Sequence, residues 1–249
     1  KQIIAWGRAD RINPTDNLTP RDFTLLVPEE DDNRFGSIAL RTKLAIGEQH
    51  SLHAIWLPNF RPHRYPVPLP AGFGMEKDIP DDADNFAVKF EQSGGRVDWS
   101  VSYYYGYDLV PDWRIKANAL PALVAQATHH KIQVLGLDGA TTAGPYGIRW
   151  EFAYTRTRDS DGDDPEIKNP FFFGVLGVER TVMDNLSINV QMYSRYVSKY
   201  HDPSSIANPL VSGIATQSAI SSNQGKKTEY GVTTRISKKW WNDTLEGEF

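Results

Sequence analysis

Long stretches in which apolar and polar residues alternate, aromatic side chains gathered on the apolar parity, and connections that run long, short, long, short predict an all-β chain. The fold class is an antiparallel transmembrane β-barrel of about eleven or more strands, with short periplasmic turns and long extracellular loops. The clearest stretch is Val97 to Tyr107. Val97, Trp99, Val101, Tyr103, Tyr105 and Tyr107 share one parity, and Asp98, Ser100, Ser102, Tyr104 and Gly106 the other. Strand side chains point alternately to the two faces of a sheet, so one face here is apolar and one polar. A strand of a globular protein usually runs about five or six residues, whereas one crossing a bilayer at a tilt needs about nine to eleven. Gly147 to Thr157 repeats the pattern, with Ile148, Trp150, Phe152 and Tyr154 against Arg149, Glu151, Ala153 and Thr155. The competing reading is a soluble antiparallel sheet with one solvated face. A soluble meander has no reason to alternate its connection lengths, whereas an outer-membrane barrel does.

In chain order, Gln2 to Arg8 reads as a short first strand leading into a polar segment, Ala9 to Phe35. Within that segment Asn13-Pro14-Thr15-Asp16 is a turn, and Thr19-Pro20 resembles an N-cap with proline at the first position of a small helix. Gly36 to Ile46 and His50 to Leu57 are strands joined at Gly47-Glu48-Gln49. Pro58 to Asn85 carries Pro58, Pro62, Pro66, Pro68, Pro70 and Pro80, which remove backbone donors and forbid a central strand. Phe86 to Gln92 alternates again and turns at Ser93 to Gly95 into the Val97 stretch. Asp108 to Ala127 is a long connection in which Ala117 to Gln126 reads as a mild helix former interrupted by Pro121.

Thr128 to Leu137 is a weaker strand and Asp138 to Tyr146 a Gly-rich turn. After Gly147 to Thr157 and the acidic loop Arg158 to Pro170, Phe171 to Arg180 and Leu186 to Tyr196 form a hairpin through Val182 to Asn185. Val197 to Lys227 is a long loop rich in Ser, Asn and Gly, Thr228 to Lys238 a strand, and Leu245 to Phe249 opens another. Counting strands puts the long connections at one rim and the short turns at the other. The last strand would then run outward, so more sequence is expected before Lys1 and after Phe249. The expected organisation is a single β-barrel domain over 1–249, part of a longer chain.

Composition is compatible with that reading. The chain of 249 residues is 40% hydrophobic, and no run approaches the length of a membrane helix; mean hydropathy is −0.48. A membrane barrel hides its apolar surface in alternation, so its average looks soluble. A net charge of −4 without a basic block argues against nucleic acid as a partner. With no cysteine, disulfides and thiolate metal sites are excluded.

The stretch I-A-W-G-R-A-D-R-I-N-P-T-D-N-L-T-P-R-D-F, Ile4 to Phe23, resembles the segment following an early strand in porin-like proteobacterial outer-membrane proteins, similar in style to alginate-export barrels. The resemblance implies a channel in the Gram-negative outer membrane for small solutes or lipidic molecules. It supplies no catalytic residues. The expected partners are outer-membrane lipid, lipopolysaccharide and small solutes.

Three groups of residues are candidates for function. Arg41, Lys43, Lys89, Arg149, Arg195 and Arg235, with Glu91, Asp98, Glu151 and Glu229, fall on the lumen parity. Their cationic excess would favour anions, unless they form a mixed, salt-bridged wall. Phe60, Arg61, His63, Arg64 and Tyr65 suit a loop that folds inward as a constriction, or else a solvated lid. Asp159, Asp161 and Asp163, with Asp164 beside them, offer oxygen ligands for Ca2+ but fail the EF-hand spacing, and an exposed acidic tip is the alternative. No other cofactor is expected. His129 and His130 would point to opposite faces of a strand and so not share one metal. No nucleophile elbow, HExxH or phosphate loop is present, and the chain is read as a non-enzyme. The expected function is passive passage of small polar or anionic solutes. A barrel that binds or shuttles lipidic molecules is the alternative, and an outer-membrane hydrolase a third.

Overall fold

The computed structural model describes residues 3–27, 30–66, 73–81, 83–116, 123–183, 185–241 and 244–248. Ten strands form one antiparallel sheet in the order β1 (Leu40–Ile46), β2 (His50–Leu57), β4 (Asn85–Gln92), β5 (Val97–Tyr107), β8 (Lys131–Ala143), β9 (Tyr146–Arg156), β10 (Phe171–Met183), β11 (Leu186–Val197), β12 (Thr228–Trp240) and β13 (Leu245–Glu248). The smaller sheet sets β3 (Phe73–Asp78) parallel to β7 (Leu123–Thr128), which is antiparallel to β6 (Asp112–Lys116). One α-helix, α1, spans Pro209–Ser221. The long connections, from which β3, β6, β7 and α1 arise, share one rim of the large sheet, and the tight turns at 47–49, 93–96 and 144–145 share the other.

Register makes the two faces uniform. On one, Val88, Tyr103, Leu135, Tyr154, Phe172 and Tyr196 lie in a single cross-strand row, with Val101, Leu137 and Phe152 in the next. This apolar face is exposed. The opposite row runs Ser51, Glu91, Ser100, Asp138, Glu151, and every one of these but Glu91 is buried.

What covers the polar face is the N-terminal segment. Arg8 reaches Glu91 on β4, while Asp10, two residues on, is held by Arg235 of β12. Neighbouring strands lie about 4.8 Å apart, so a flat sheet would separate β4 from β12 by roughly 29 Å. The sheet must therefore curl around the segment. Near the long-loop rim the contact is apolar, with Ile4, Trp6 and Leu18 packed on Ile55, Leu57, Tyr104 and Val134.

Several expectations change. The large sheet is open among the described residues, with β1 and β13 as unpaired edges, so barrel closure is not seen. Ile4 to Arg8 forms no strand: the N–H and C=O of Ile4 bond to the Thr19 hydroxyl at 2.9 and 2.7 Å, which satisfies them without a neighbouring strand. Thr19 is thereby used up and caps no helix. The Asp22 N–H bonds Asn33 O instead, and Arg21 bridges Arg34 in extended pairing.

The expected turn at Asp138 is also absent, because β8 runs on to Ala143. Gly139 belongs to that strand because the Trp150 ring of β9 lies where a Cβ would sit, 2.2 Å from its nearest atom. The expected helix over Ala117 to Gln126 is overturned where it is described, since Leu123–Thr128 is β7; positions 117–122 lie outside the described residues. Within the expected loop Val197 to Lys227, α1 starts at an Asn208 cap whose side chain accepts from Leu210 N, with Pro209 in its first turn.

Candidate functional site

The interior of the curl is built by the N-terminal segment. Gly7, at φ +105, lets the chain turn so that the Glu151 carboxylate lies where a Cβ would be. Glu151 is fully buried and accepts from Arg8 N at 3.0 Å, Ala9 N at 3.3 Å, Thr15 N at 2.7 Å and Thr15 Oγ1 at 2.9 Å. Arg8 donates to Asp138 and Glu91, both at 2.6 Å, and Asp138 also accepts from Ser100. Further along, the Asp10 backbone and the Gln191 amide bond each other reciprocally. Arg235 donates to Asp10 at 2.7 Å and to Glu248 at 2.8 Å, and Arg11 meets Glu248 at 2.5 Å.

All ten sequence-selected lumen residues lie on this inner parity, and most are engaged with partners. Glu91 has Arg8, Lys89 and His53 within 3.8 Å, and Lys89 stands over the Trp6 ring. Arg149 pairs with Glu179 at 3.2 Å. Arg195 stacks on Phe171 and Phe173, and donates to the carbonyls of Ser222 and Asn223. Glu229 is its register partner on β12. Arg41 approaches His53 at 3.4 Å, Lys43 is the register partner of His53, and Asp98 accepts Gly94 N at the short-turn rim.

The sequence-selected loop lies against the N-terminal segment. Phe23 stacks on Tyr65 with centroids 5.0 Å apart and meets His63 edge-on. His63 Nδ1 accepts from Arg21 N at 2.8 Å. Arg64 pairs with Asp22, Arg61 sits 3.6 Å above the Phe35 ring, and Phe60 packs between Tyr107 and His129. Burial, reinforced by the Arg21 charge, pushes His63 down to about 3, and burial raises the Tyr65 phenol.

Behind this loop is a cluster the sequence did not disclose. Lys168 is buried, its Nζ donating to Asp108 Oδ2 at 2.8 Å and Val110 O at 2.6 Å. Asp112 accepts from Lys168 N at 3.0 Å and bonds His130 Nδ1 at 2.8 Å. Burial alone would depress the Lys168 ammonium and raise the Asp112 carboxyl. Attraction to Asp108 and then Asp112 reverses the first, and the Lys168 charge with the His130 bond reverses the second, leaving Lys168 above and Asp112 below its ordinary value. His129 and His130 are thus separately engaged, His129 with Asp108 O.

Asp159 is buried and turned inward onto Gly162, Asp163 and Asp164 backbone amides, while Asp161 and Asp163 are exposed. Among the described residues no three metal-ligating side chains converge. The residues missed by sequence reasoning are Arg8, Asp10, Thr15, Asp138, Gln191 and Glu248. Gln191 carried one legible signal, the lumen parity of its strand, whereas Asp138 reads as a turn residue because β8 continues past the expected end.

Among the described residues, two cavities open on this interior. One of about 690 Å3 lies towards the long-loop rim, between the His63–Tyr65 loop, the aromatic residues of β10 and Arg195. The other, about 560 Å3, lies along β11 and β12 beside Arg235 and Glu248. Arg11 and Ile12 line both. No family model, curated protein or solved structure matches this chain, which leaves its own residues as the ground for a functional reading.

Proposed function

We propose that the ten strands are the wall of a β-barrel in a Gram-negative outer membrane, and that its lumen, narrowed by the segment 4–23, passes small polar solutes. The observation that carries this reading is the exposed apolar face. Leu135 is 55% exposed, Phe152 50%, Phe172 53% and Met192 57%, in rows that continue across the sheet. Soluble monomers rarely expose contiguous apolar patches beyond a few hundred Å2, whereas such a face suits acyl chains. The likeness of Ile4 to Phe23 to porin-like proteins points the same way.

The route runs from the cavity at the long-loop rim to the one along β11 and β12 past Arg11, which lines both and whose contact with Glu248 at 2.5 Å serves as a polar gate. Most of the wall charge is neutralised in pairs, which supports weak charge selection. A second reading, a barrel that holds lipidic molecules, is favoured by the aromatic lining of the cavity at the long-loop rim, with Phe23, Tyr65, Phe171 and Phe173 facing it.

Planar-bilayer conductance separates the two. An open route passes ions, and Arg11→Ala should raise single-channel conductance about twofold or more. Absence of conductance in both wild type and Arg11→Ala would leave the lipidic reading. Purified protein that stays monomeric and soluble without detergent would remove the membrane wall itself.

A further inference from the structure

A third concavity, about 680 Å3, opens on the other side of the wall. It sits at the long-loop rim on the apolar face, under the small sheet. Register fixes its base, since Tyr105, Gln133 and Arg156 form one cross-strand row and Tyr107 with Lys131 the next towards the rim. Arg158 follows β9, and Arg114 enters from β6 above.

The cavity therefore gathers Lys131, Arg156, Arg158 and Arg114 against one lining carboxylate, Asp78. Arg114 has Glu166 at 3.9 Å. Among the described residues, Lys131, Arg156 and Arg158 pair with no carboxylate, and Lys131 instead stands 5.2 Å over the Tyr105 ring and 5.3 Å over Tyr107. Like charges brought this close repel one another, and an anion between them removes the repulsion. Guanidinium groups in particular match the paired oxygens of a phosphate.

Directly below, towards the middle of the sheet, a shallow groove of about 450 Å3 runs between Phe86, Val88 and Tyr103. It shares Tyr105 and Gln133 with the basic cavity. Cations at the watery rim, two tyrosines at their feet and an apolar groove beneath repeat, in order, the parts of an amphiphile: an anionic head, an interfacial zone and a chain. A soluble phosphate would use only the upper half.

We propose that this surface binds a phosphate-bearing lipid, its headgroup on Lys131, Arg156 and Arg158 and an acyl chain along Phe86, Val88 and Tyr103. The inference rests on the outer-membrane reading above and gives it a specific lipid contact. An exterior basic cluster of this kind is how a membrane protein recognises anionic headgroups.

The test is retention of added lipid by the full chain purified in a neutral detergent, read by native mass spectrometry. The probes are phosphatidic acid, phosphatidylcholine and glycerol 3-phosphate, the last being the same head without chains. Phosphatidic acid should be retained at least tenfold over phosphatidylcholine, and glycerol 3-phosphate should not be retained at equal concentration. The double variant R156Q/R158Q, at two exposed positions, should lose that preference tenfold, while R156K/R158K should keep at least a third of it. Equal retention of phosphatidylcholine, or a preference unchanged in R156Q/R158Q, overturns the site. Retention of glycerol 3-phosphate as strong as that of phosphatidic acid overturns the lipid in favour of a soluble phosphate ligand. A protein that needs detergent yet fails these arms loses only this inference, whereas one that is soluble and monomeric without detergent loses the membrane wall first.

Discussion

Glu151 and Phe152 are neighbours in the chain, and they sit on opposite sides of the same strand with 0% and 50% of their surface exposed. The contrast extends across the sheet. The polar face is the buried one, and the apolar face is open. A soluble domain arranges its faces the other way, because burying polar groups costs free energy unless each finds a partner. Here the partners come from the segment 4–23, which delivers amides to Glu151 and a guanidinium to Asp138 and Glu91. Burial on this face goes with the completeness of its hydrogen bonding, which the apolar face has no need of.

The largest expected effect comes from breaking the buried side. In Glu151→Ala the N–H groups of Arg8, Ala9 and Thr15 and the Thr15 hydroxyl lose their acceptor. The two Thr15 donors are buried, and each buried donor left unpaired costs about 1–3 kcal/mol, so the loss should be about 2–6 kcal/mol. The urea midpoint should fall accordingly, and the segment 4–23 should become a substrate for protease while the strands stay protected. An unchanged midpoint would mean that water replaces Glu151 at no cost.

The same comparison explains what the sequence disclosed. Period-two alternation fixes which side of a strand each residue takes, so Val101 and Ser100 could be sorted without coordinates. Alternation does not say what lies against a face. Ile4 and Trp6 alternate as a strand does, yet the backbone of Ile4 bonds to Thr19, that of Trp6 to Asp16, and their side chains fill the curl. Gly139 reads as a turn because the ring that covers it, Trp150, belongs to another strand. Arg8 and Glu151 are 143 residues apart and Asp108 and Lys168 are 60 apart, and no local pattern links either pair. The helix α1 falls in the stretch that reads as a loop, because its apolar residues do not gather on one face and no helical period stands out.

The open side gives the next effect. Val101 lies in the middle of β5 and is 39% exposed. At an exposed site in water, Val101→Arg would change stability by less than about 0.5 kcal/mol. At the midplane of a bilayer an arginine on the lipid face costs about 2–4 kcal/mol. Folding measured in phospholipid vesicles should show the larger loss, and the same variant in a short-chain detergent the smaller one. Equal, negligible losses in both would make this face a water-exposed one after all.

The smallest effect concerns the seam between the loop and the N-terminal segment. His63 Nδ1 accepts the Arg21 N–H, so its ring must be neutral on that nitrogen. An unfolded histidine titrates near 6.5, and burial beside Arg21 holds the folded one at about 3. Between those values the unfolded chain carries a proton that the folded chain lacks, so stability rises with pH through the window and is lost as pH falls. At about 1.4 kcal/mol for each pH unit, lowering the pH from 6.5 to 5 removes about 2 kcal/mol. Part of that is offset by water, because His63 lines the cavity at the long-loop rim, which leaves a loss of about 1 kcal/mol. His63→Asn isolates it, since the asparagine carbonyl can accept the same N–H and cannot take the proton. Wild type should lose about 1 kcal/mol more than His63→Asn over that interval, with the two meeting above pH 7.5. Parallel pH profiles would mean that the imidazole can turn away and protonate without disturbing Arg21, and the loop would then be a lid on the N-terminal segment rather than a part of it.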